Sequence, residues 1–391
     1  MIAFLFPGQG SQKPGMGLPW TDHPSWELVA EASAAAERDV AHLLLHADAD
    51  ELKATRNSQL ATMVASLIVL DAVERLGVEP AVYAGHSLGE YTALVASGAI
   101  AFEDGVRLVV ERGEAMQRAG DERAGTMAAV IGLDDDKVEV ACARTDGDVW
   151  VANYNAPGQV VIAGAPDAVA AASDEAKKLG GKKVMPLAVS GAFHTPLMTA
   201  ARDHLRKAIA GTEIRDPDLP VIANVDALAH PTADDWGPLL AAQLCSPVRW
   251  RQSLYRLDEL GTRTYCELGP GGVLSGTVKR TVPGAQQLSI TTPDQLDTLL
   301  ETIHGLEAEP AGVHEGEHLF AHERVVVSPA AGIFTPEPVL VAGAELQAGA
   351  VLGTAGEHEV RSPFAGTVVG VLAMEGERVT SSQPIAWLRI A

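Results

Sequence analysis

A Gly-His-Ser-Leu-Gly motif at residues 85–89 constrains the fold of this chain more than any other feature. Ala81 to Ala84 form a short apolar run typical of a buried strand, and Leu88 to Ser97 carry apolar side chains at helical spacing. The serine therefore stands where a strand turns sharply into a helix, which is the context of a nucleophile elbow. There its hydroxyl is exposed above the sheet, and the N–H of Leu88 can face an oxyanion. The alternative is a turn in which Ser87 only caps the helix.

Strand-like and helical segments alternate around this motif. They predict a large α/β domain, hydrolase-like, with a parallel sheet covered by helices, over residues 1–124 and 195–305. The predicted strands are Ile2 to Phe6, Ala81 to Ala84, Pro220 to Asn224 and Thr264 to Leu268, and the clearest helices are Phe102 to Arg118 and Trp236 to Leu244.

Residues 125–194 follow a different pattern, in the order strand, helix, strand, strand, helix, strand. The strands are Thr126 to Leu133, Val149 to Asn153, Val160 to Ala163 and Lys183 to Val189, and the helices are Asp135 to Arg144 and Pro166 to Leu179. This order predicts an inserted ferredoxin-like subdomain. Its last strand would bring the segment from Ser190 to His194 back to the cleft.

The last part of the chain changes character after a Glu/Gly/Pro-rich linker at residues 306–321. Beyond it, short β runs contain an internal repeat: residues 327–332 (Val-Ser-Pro-Ala-Ala-Gly) recur as residues 361–366 (Arg-Ser-Pro-Phe-Ala-Gly), and residues 343–346 recur as residues 376–379. Residues 322–391 are therefore predicted to form a small all-β module with two similar halves.

Composition narrows the possible environments. A formal net charge of −22, spread over 391 residues, argues for a soluble protein and against sequence-independent binding of nucleic acid. The apolar run from Met1 to Phe6 is too short for a signal peptide or a membrane span. Three widely spaced cysteines, Cys142, Cys245 and Cys266, predict buried thiols in a reducing compartment, which we take to be the cytoplasm.

Seven segments in a fixed order resemble the malonyl-CoA:acyl carrier protein transacylases, and the resemblance covers residues 1 to about 300. They are Phe-Pro-Gly-Gln-Gly-Ser-Gln at 6–12, Gly-His-Ser-Leu-Gly-Glu at 85–90, Arg-Gly-Glu-Ala-Met-Gln at 112–117, Asn-Tyr-Asn-Ala-Pro-Gly-Gln at 153–159, Gly-Ala-Phe-His at 191–194, Gln-Leu-Cys-Ser-Pro-Val at 243–248 and Glu-Leu-Gly-Pro-Gly at 267–271. The resemblance implies transfer of a malonyl group from malonyl-CoA to the phosphopantetheine thiol of an acyl carrier protein, for fatty-acid or polyketide synthesis, without a covalently bound cofactor.

The resemblance also implies the roles of the reacting groups. Ser87 would form an acyl-serine intermediate, with His194 as its base and a main-chain carbonyl near Gln243 orienting the imidazole. His86 is the competing base, but a residue adjacent to the nucleophile usually points elsewhere, so a structural role is favoured. The N–H groups of Gln9 and Leu88 would form the oxyanion hole. A phosphate-binding role for the Gly8 to Gly17 loop is weaker, because no Gly-Lys-Ser/Thr sequence follows it.

Two further residues concern the acyl group. Arg112 matches the family's carboxylate-binding arginine, and a guanidinium can donate two parallel hydrogen bonds to a carboxylate. Helix spacing alone would leave Arg112 equally compatible with a solvated surface position. Phe193 resembles the bulky residue of malonyl-selective members, so methylmalonyl is expected to be a poor substrate.

Docking of an acidic carrier protein onto this acidic chain requires a local basic patch. Two clusters are candidates, and the first is equally well explained as solvated helix ends. They are Lys177, Lys178, Lys182 and Lys183, and Arg249, Arg251, Lys279 and Arg280.

Residues 322–391 resemble the biotinyl/lipoyl carrier fold, a flattened barrel of two interleaved half-repeats. Carriers of that family attach their cofactor to a lysine at a hairpin tip, whereas the last lysine of this chain is Lys279. We expect a non-carrying module used for docking, oligomerisation or orientation toward a partner enzyme. His314 to His318 match the His-Glu-x-x-His pattern, but Gly316 interrupts it and Pro310 precedes it, so no metal site is predicted.

Two other functions compete with acyl transfer. A serine esterase or acyl-CoA hydrolase shares the elbow. In that class, however, an acidic catalytic residue lies between the serine and the histidine in chain order, and a simple esterase does not need a carboxylate-binding arginine. A scaffold with a vestigial transferase body is the second rival. The presence of Ser87, His194, Arg112 and Gln243 together argues against it.

Overall fold

The computed structural model describes residues 1–189, 191–307, 323–356, 358–380 and 383–389. The chain divides into two compact units, Met1–Ala308 and Glu309–Ala391. The predicted His-Glu-x-x-His segment and most of the predicted linker lie outside the described residues.

The first unit alternates strands and helices along the chain. Its strands are β1 Ile2–Phe6, β2 Val82–Gly85, β3 Thr126–Ile131, β4 Val149–Ala156, β5 Gln159–Gly164, β6 Lys183–Pro186, β7 Val221–Ile222, β8 Thr264–Leu268 and β9 Gln286–Ile290. Its α-helices are α1 Leu28–Ala36, α2 Val40–Leu45, α3 Ala49–Lys53, α4 Thr55–Glu74, α5 Leu88–Ala96, α6 Phe102–Glu122, α7 Asp135–Ala143, α8 Pro166–Lys178, α9 Thr199–Ala210, α10 Ala233–Gln243, α11 Trp250–Glu259, α12 Val273–Thr281 and α13 Gln295–Glu307. Short 3₁₀ turns lie at Leu18–Trp20, Pro24–Glu27 and Pro196–Met198.

The predicted parallel sheet is confirmed. Within the described residues it has the strand order β7-β2-β1-β8-β9, and each neighbouring pair is parallel. Its central strands β1, β2 and β8 are buried almost throughout, as expected for a parallel sheet with helices on both faces. The carboxyl ends of these strands meet at one edge, where β2 leads into the serine motif.

One predicted strand of this sheet is shorter than expected. The sequence predicted a strand from Pro220 to Asn224, but β7 contains only Val221 and Ile222. The backbone leaves the sheet because Ala223 N–H donates to Leu228 O, and Asn224 N–H donates to the Glu90 carboxylate. The end of this strand is therefore used in a side-chain network instead of the sheet ladder.

Residues 126–186 form a second, antiparallel sheet in the order β4-β5-β3-β6, with α7 and α8 between its strands in sequence. Apolar residues of the sheet and of both helices share one core, among them Val130, Val138, Ile162, Val169 and Ala172. The last strand, β6, ends at Pro186, three residues before the predicted end. One further bond, from Leu187 N–H to Met127 O, follows Pro186, and the chain then turns, with Val189 N–H donating to Leu187 O.

The second unit is entirely β within the described residues. Its strands are β10 Glu323–Val327, β11 Gly332–Pro336, β12 Glu345–Leu346, β13 Val351–Ala355, β14 His358–Arg361, β15 Gly366–Val371, β16 Arg378–Val379 and β17 Pro384–Arg389. They form two antiparallel sheets, β10-β17-β15-β12 and β14-β13-β11-β16, around an apolar core. Each half supplies a short strand to the other, because β12 pairs with β15 and β16 pairs with β11.

The sequence repeat of the second unit has a structural counterpart. Ser328 Oγ donates to Ala330 O at 2.7 Å, and Ser362 Oγ donates to Phe364 O at 2.7 Å. Both serines are buried, at 1% and 0% exposure. The repeated Ser-Pro turn therefore closes in the same way in both halves.

Among the described residues, no helix combines the length and the apolar character needed to cross a membrane.

The three thiols differ in exposure. Cys142 and Cys266 are buried as predicted, but Cys245 is partly exposed, so the prediction of three buried thiols is wrong at that position. Burial raises the pKa of all three thiols, to about 12 for Cys142, which keeps them protonated.

Candidate active site

The serine motif forms a strained turn between β2 and α5. Ser87 has φ 53° and ψ −100°, a conformation that costs a non-glycine residue about 1–3 kcal/mol. The flanking glycines are required by close approach. A Cβ on Gly85 would lie 1.9 Å from Gly89 O, and one on Gly89 would lie 2.0 Å from Phe6 O. The turn therefore packs directly on the end of β1.

The side chain of Ser87 points to the histidine predicted as its partner. Its hydroxyl donates to His194 Nε2 at 2.8 Å, across 107 positions of sequence. It makes no capping hydrogen bond to α5, so the alternative of a simple helix cap is wrong. This is the hydrogen bond that a serine nucleophile needs with its base.

His194 is held in the tautomer that accepts from serine. Its Nδ1 donates to the main-chain O of Gln243 at 2.8 Å, and the residue is 4% exposed. Burial and the positive charge of Arg112 lower its pKa to about 3, while the bond to Gln243 opposes the shift. The imidazole is therefore neutral and able to take a proton.

The competing histidine has other partners. His86 Nε2 is hydrogen-bonded to Asn155 Oδ1 at 2.8 Å, and its ring packs edge-on against Trp250 at 5.6 Å between centroids. Burial lowers its pKa. These contacts fit a structural role.

Arg112 lies in the interior, at 1% exposure, so the alternative of a solvated surface arginine is wrong. One terminal nitrogen donates to Gln59 Oε1 at 2.6 Å; the other donates to Ser87 Oγ at 3.0 Å and to Gln243 Oε1 at 2.9 Å. Its guanidinium carbon is 5.0 Å from the centre of the Tyr91 ring. Its hydrogen-bond partners among the described residues are therefore neutral side chains, and its Nε has none. The buried carboxylate of Glu90 acts on it electrostatically without a direct ion pair.

A cavity of about 190 Å³ lies in front of these groups. Its wall includes Gln9, Ser87, Arg112, Phe193 and His194. Neither the N–H of Gln9 nor that of Leu88 has a hydrogen-bond acceptor among the described residues, and Leu88 is the first residue of α5. A helix N-terminus with a free N–H is suited to a developing negative charge.

Three buried residues of this network were not predicted from sequence. Gln59 on α4 contacts Arg112, Asn224 Oδ1 accepts from Ser87 N–H at 2.7 Å, and Glu90 accepts from Asn224 N–H at 2.7 Å. Asn224 is the last residue of a predicted strand of the parallel sheet, and functional residues collect at the carboxyl ends of such strands. Its place at a strand end could therefore have indicated Asn224. Gln59 lies within a long, almost wholly buried helix, and no motif there indicates a role in the site.

The two basic clusters are not equivalent. Lys177 and Lys178 lie 2.9 Å and 3.3 Å from Asp174 and Glu175, so their charges are compensated on α8. In the second cluster Arg251 is ion-paired with Asp135 and is not available for docking. Arg280 lines the cavity and donates to Gln159 Oε1 at 2.7 Å.

Across the described ranges there is no group of three or more histidine, cysteine or acidic residues arranged to hold a metal ion. The reactive groups of the cavity are a hydroxyl, an imidazole and a guanidinium. Together they can support nucleophilic attack and binding of an anionic group.

The lowered pKa of His194 predicts an unusual pH profile. An acetyl thioester brings no carboxylate, so it leaves the charge of Arg112 unpaired. With this substrate we expect kcat/KM for acylation of Ser87 to show no fall from histidine protonation between roughly pH 5 and pH 8. The reason is that protonation of the base would begin only near its lowered pKa. Stopped-flow release of free CoA measures this rate. A tenfold loss centred near pH 6.5 would contradict the expectation.

Comparisons with known proteins identify the family and the relatives of this chain. Residues 3–297 match the acyl transferase domain family. The chain is 40% identical over 307 residues to the malonyl CoA-acyl carrier protein transacylase of Bacillus subtilis, covering 77% of this chain and 97% of the relative. It is 41% identical over 305 residues to the protein of the same name from Escherichia coli K12, covering 77% and 99%.

Solved structures give the same result. An acyl carrier protein S-malonyltransferase from Vibrio cholerae has a TM-score of 0.74 at 40% identity, covering 76% of this chain and 99% of that one. A malonyl-transacylase solved with its type II polyketide synthase acyl carrier protein has a TM-score of 0.75 at 39% identity, covering 77% and 99%. The matched family model spans most of the chain and includes every residue of the cavity named above, so the chain belongs to the acyl transferase family.

Proposed function

We propose that this acyltransferase moves a malonyl group from malonyl-CoA to the phosphopantetheine thiol of an acyl carrier protein through an acyl-serine intermediate. The names of its relatives support this activity. The observation that carries it is the burial of Arg112 beside Ser87 with only neutral partners in the described chain. A buried cation whose direct hydrogen-bond partners are all neutral favours a ligand that brings a carboxylate.

The first half-reaction loads the serine. Ser87 Oγ attacks the thioester carbonyl of malonyl-CoA while its proton passes to His194 Nε2, and the bond from Nδ1 to Gln243 O holds the imidazole in place. The N–H groups of Gln9 and Leu88 stabilise the oxyanion. Collapse of the tetrahedral intermediate expels the CoA thiolate, which takes the proton back from His194.

The second half-reaction reverses these roles with a different thiol. The carrier's thiol gives its proton to His194, and its sulfur attacks the malonyl-serine ester. The tetrahedral intermediate then releases Ser87, which recovers the proton. The protons balance within the serine and histidine pair, so the transfer requires no bound cofactor. Arg112 holds the malonyl carboxylate throughout.

Phe193 and Arg280 complete the assignment. Phe193 is 4% exposed on the cavity wall next to His194, where its ring leaves little room for a methyl branch on the acyl group. Arg280 is also on the wall and is exposed, so it would meet the acidic carrier. Of the two docking clusters we therefore propose the second, whose Lys279 and Arg280 lie on α12.

The competing hydrolase function differs in the fate of the acyl-serine. The test is to incubate the full-length protein with malonyl-CoA, with and without a holo acyl carrier protein, and to follow both the intact mass of the carrier and the release of free malonate. Malonylation of the carrier that exceeds malonate release supports transfer. Rapid release of malonate at a rate unaffected by the carrier would establish the hydrolase instead. No reaction at all would favour the scaffold.

The finer domain assignments belong to the same proposal. We assign residues 125–194 to a ferredoxin-like subdomain inserted between residues 1–124 and 195–305, and residues 322–391 to a biotinyl/lipoyl-like module. The support is the strand order of each sheet and the exchange of short strands between the halves of the second unit.

The C-terminal module is expected to carry no biotin or lipoyl group. Its hairpin of β13 and β14 ends in Gly356, and no lysine follows Lys279 in the chain. The intact mass of protein purified from cells supplied with both cofactors should therefore equal the mass of the sequence. An increase by one biotinyl or lipoyl group would contradict the assignment.

A further inference from the structure

Gln243 joins three parts of the active site through one amide. Its Oε1 accepts from Arg112 at 2.9 Å, and its Nε2 donates to Ser87 O at 2.9 Å and to Glu90 Oε2. The main-chain O of the same residue orients His194. Only one orientation of the amide allows this set, because the oxygen must face the guanidinium and the nitrogen must face the carboxylate.

Glu90 is the group that fixes this orientation. It is fully buried, and its two carboxylate oxygens accept from different partners, Oε1 from Asn224 N–H at 2.7 Å and Oε2 from Gln243 Nε2. An amide turned by 180° would place its oxygen against a carboxylate oxygen and its N–H groups against Arg112. Both contacts would be repulsive.

We propose that Glu90 is a positioning residue that sets acyl-group selectivity, by holding the Gln243 amide with its oxygen toward Arg112. Resting on the proposed function, this makes the guanidinium ready for the malonyl carboxylate before substrate arrives. Preorganised donors cost no rearrangement at the moment of binding. Glu90 itself touches neither Ser87 Oγ nor the cavity wall, so it acts through Gln243.

The variant Glu90→Gln tests this directly, since it keeps the shape and removes one acceptor. The main-chain N–H of Asn224 cannot turn away, so the new amide keeps its oxygen toward Asn224 and presents its N–H to Gln243 Nε2, which favours the flipped Gln243 amide. We expect the ratio of malonyl to acetyl kcat/KM to fall about 10-fold to 100-fold. Equal losses for malonyl and acetyl would overturn the proposal, because they would mean that Glu90 supports only the Ser87 turn.

Glu267→Gln is the matched control. Glu267 is also a fully buried carboxylate at the end of a strand of the same sheet, but it accepts from Ser275 instead of Gln243. Its loss is expected to lower the melting temperature without changing the malonyl to acetyl ratio. A drop in the ratio equal to that of Glu90→Gln would show that removal of any buried charge has this effect, and would overturn the proposal.

A double-mutant cycle tests whether Glu90 acts through the Gln243 amide. Gln243→Met keeps the main-chain bond to His194 and removes the amide, so it is expected to lower the ratio as Glu90→Gln does. The combined variant should then lose no more than either single variant, whereas additive losses would contradict a shared path. If the wild type malonylates no carrier, the proposed function fails; if Arg112→Ala collapses the ratio and Glu90→Gln does not, only the role of Glu90 fails.

The wild-type chain offers a test without substitution. Burial raises the pKa of Glu90 to about 7; the bonds from Asn224 and Gln243 and the charge of Arg112 on α6 oppose the shift, and Asp226 after β7 adds to it. As the pH falls below that value, Glu90 gains a proton and loses an acceptor. We expect the malonyl to acetyl ratio to fall with it in the wild type and to be flat in Glu90→Gln. A flat ratio in both would overturn the proposal.

Discussion

Replacing Ser87 with alanine is expected to lower malonyl transfer to the carrier by at least about 10⁴-fold, which corresponds to about 5.5 kcal/mol of transition-state stabilisation. The hydroxyl oxygen of Ser87 forms the ester and lies 2.8 Å from the base, His194 Nε2. Alanine has no atom in the cavity that could replace this nucleophile. The residual rate would come from binding and from the oxyanion donors alone. Carrier malonylation followed by intact mass measures the loss.

The same measurement identifies the intermediate. Wild-type protein mixed with malonyl-CoA in the absence of carrier should gain the mass of one malonyl group, and Ser87→Ala should gain none. Ser97→Ala is the control, because this serine ends the same helix and its hydroxyl donates only to Leu94 O. Full transfer by Ser87→Ala would refute the acyl-serine mechanism.

Arg112→Ala is expected to reduce malonyl transfer by about 10²- to 10³-fold, or about 3–4 kcal/mol, and acetyl transfer much less. The malonyl carboxylate would enter a buried site without its charge partner, whereas an acetyl group brings no charge to compensate. The loss for acetyl is not zero, because Arg112 also donates to Ser87 Oγ at 3.0 Å. Competition between malonyl-CoA and acetyl-CoA at equal concentration gives the ratio.

Removal of a buried arginine also affects stability, so a matched variant is needed. Arg107 lies on the same helix and forms an exposed ion pair with Asp104, which contributes about 0–1 kcal/mol. Arg107→Ala should leave the ratio and the rates unchanged. Equal losses of malonyl and acetyl transfer in Arg112→Ala would remove the carboxylate-binding role and leave a structural one.

Ser87 could be predicted from its own local pattern, whereas the roles of His194 and Arg112 were implied by the resemblance. The strand, turn and helix around Ser87 are encoded within 18 residues, and the Gly-Ala-Phe-His segment ends with the histidine that meets it. The prediction that a carbonyl near Gln243 orients His194 came from resemblance alone. The structure places that carbonyl 2.8 Å from Nδ1.

The remainder of the network depends on contacts between distant segments. Nothing in a single helix indicates that Gln59 will meet Arg112, since 53 positions separate them and both lie on amphipathic or apolar helices. The ion pair of Arg251 with Asp135 joins α11 to α7. It neutralises a positive charge that the residue pattern alone had offered for carrier docking. Such pairings are decided by packing, which residue spacing does not report.

The backbone of the site has an evolutionary consequence. Four non-glycine residues in the described chain have positive φ, and Ser87 and His194 are two of them. Glycine at either position would relieve a conformational penalty of about 1–3 kcal/mol while deleting the side chain. Selection for stability alone would therefore favour glycine at the two positions that carry the reactive groups. In this chain both positions keep the reactive side chain and bear the conformational penalty, so part of the stability that the fold could have is given up for catalysis.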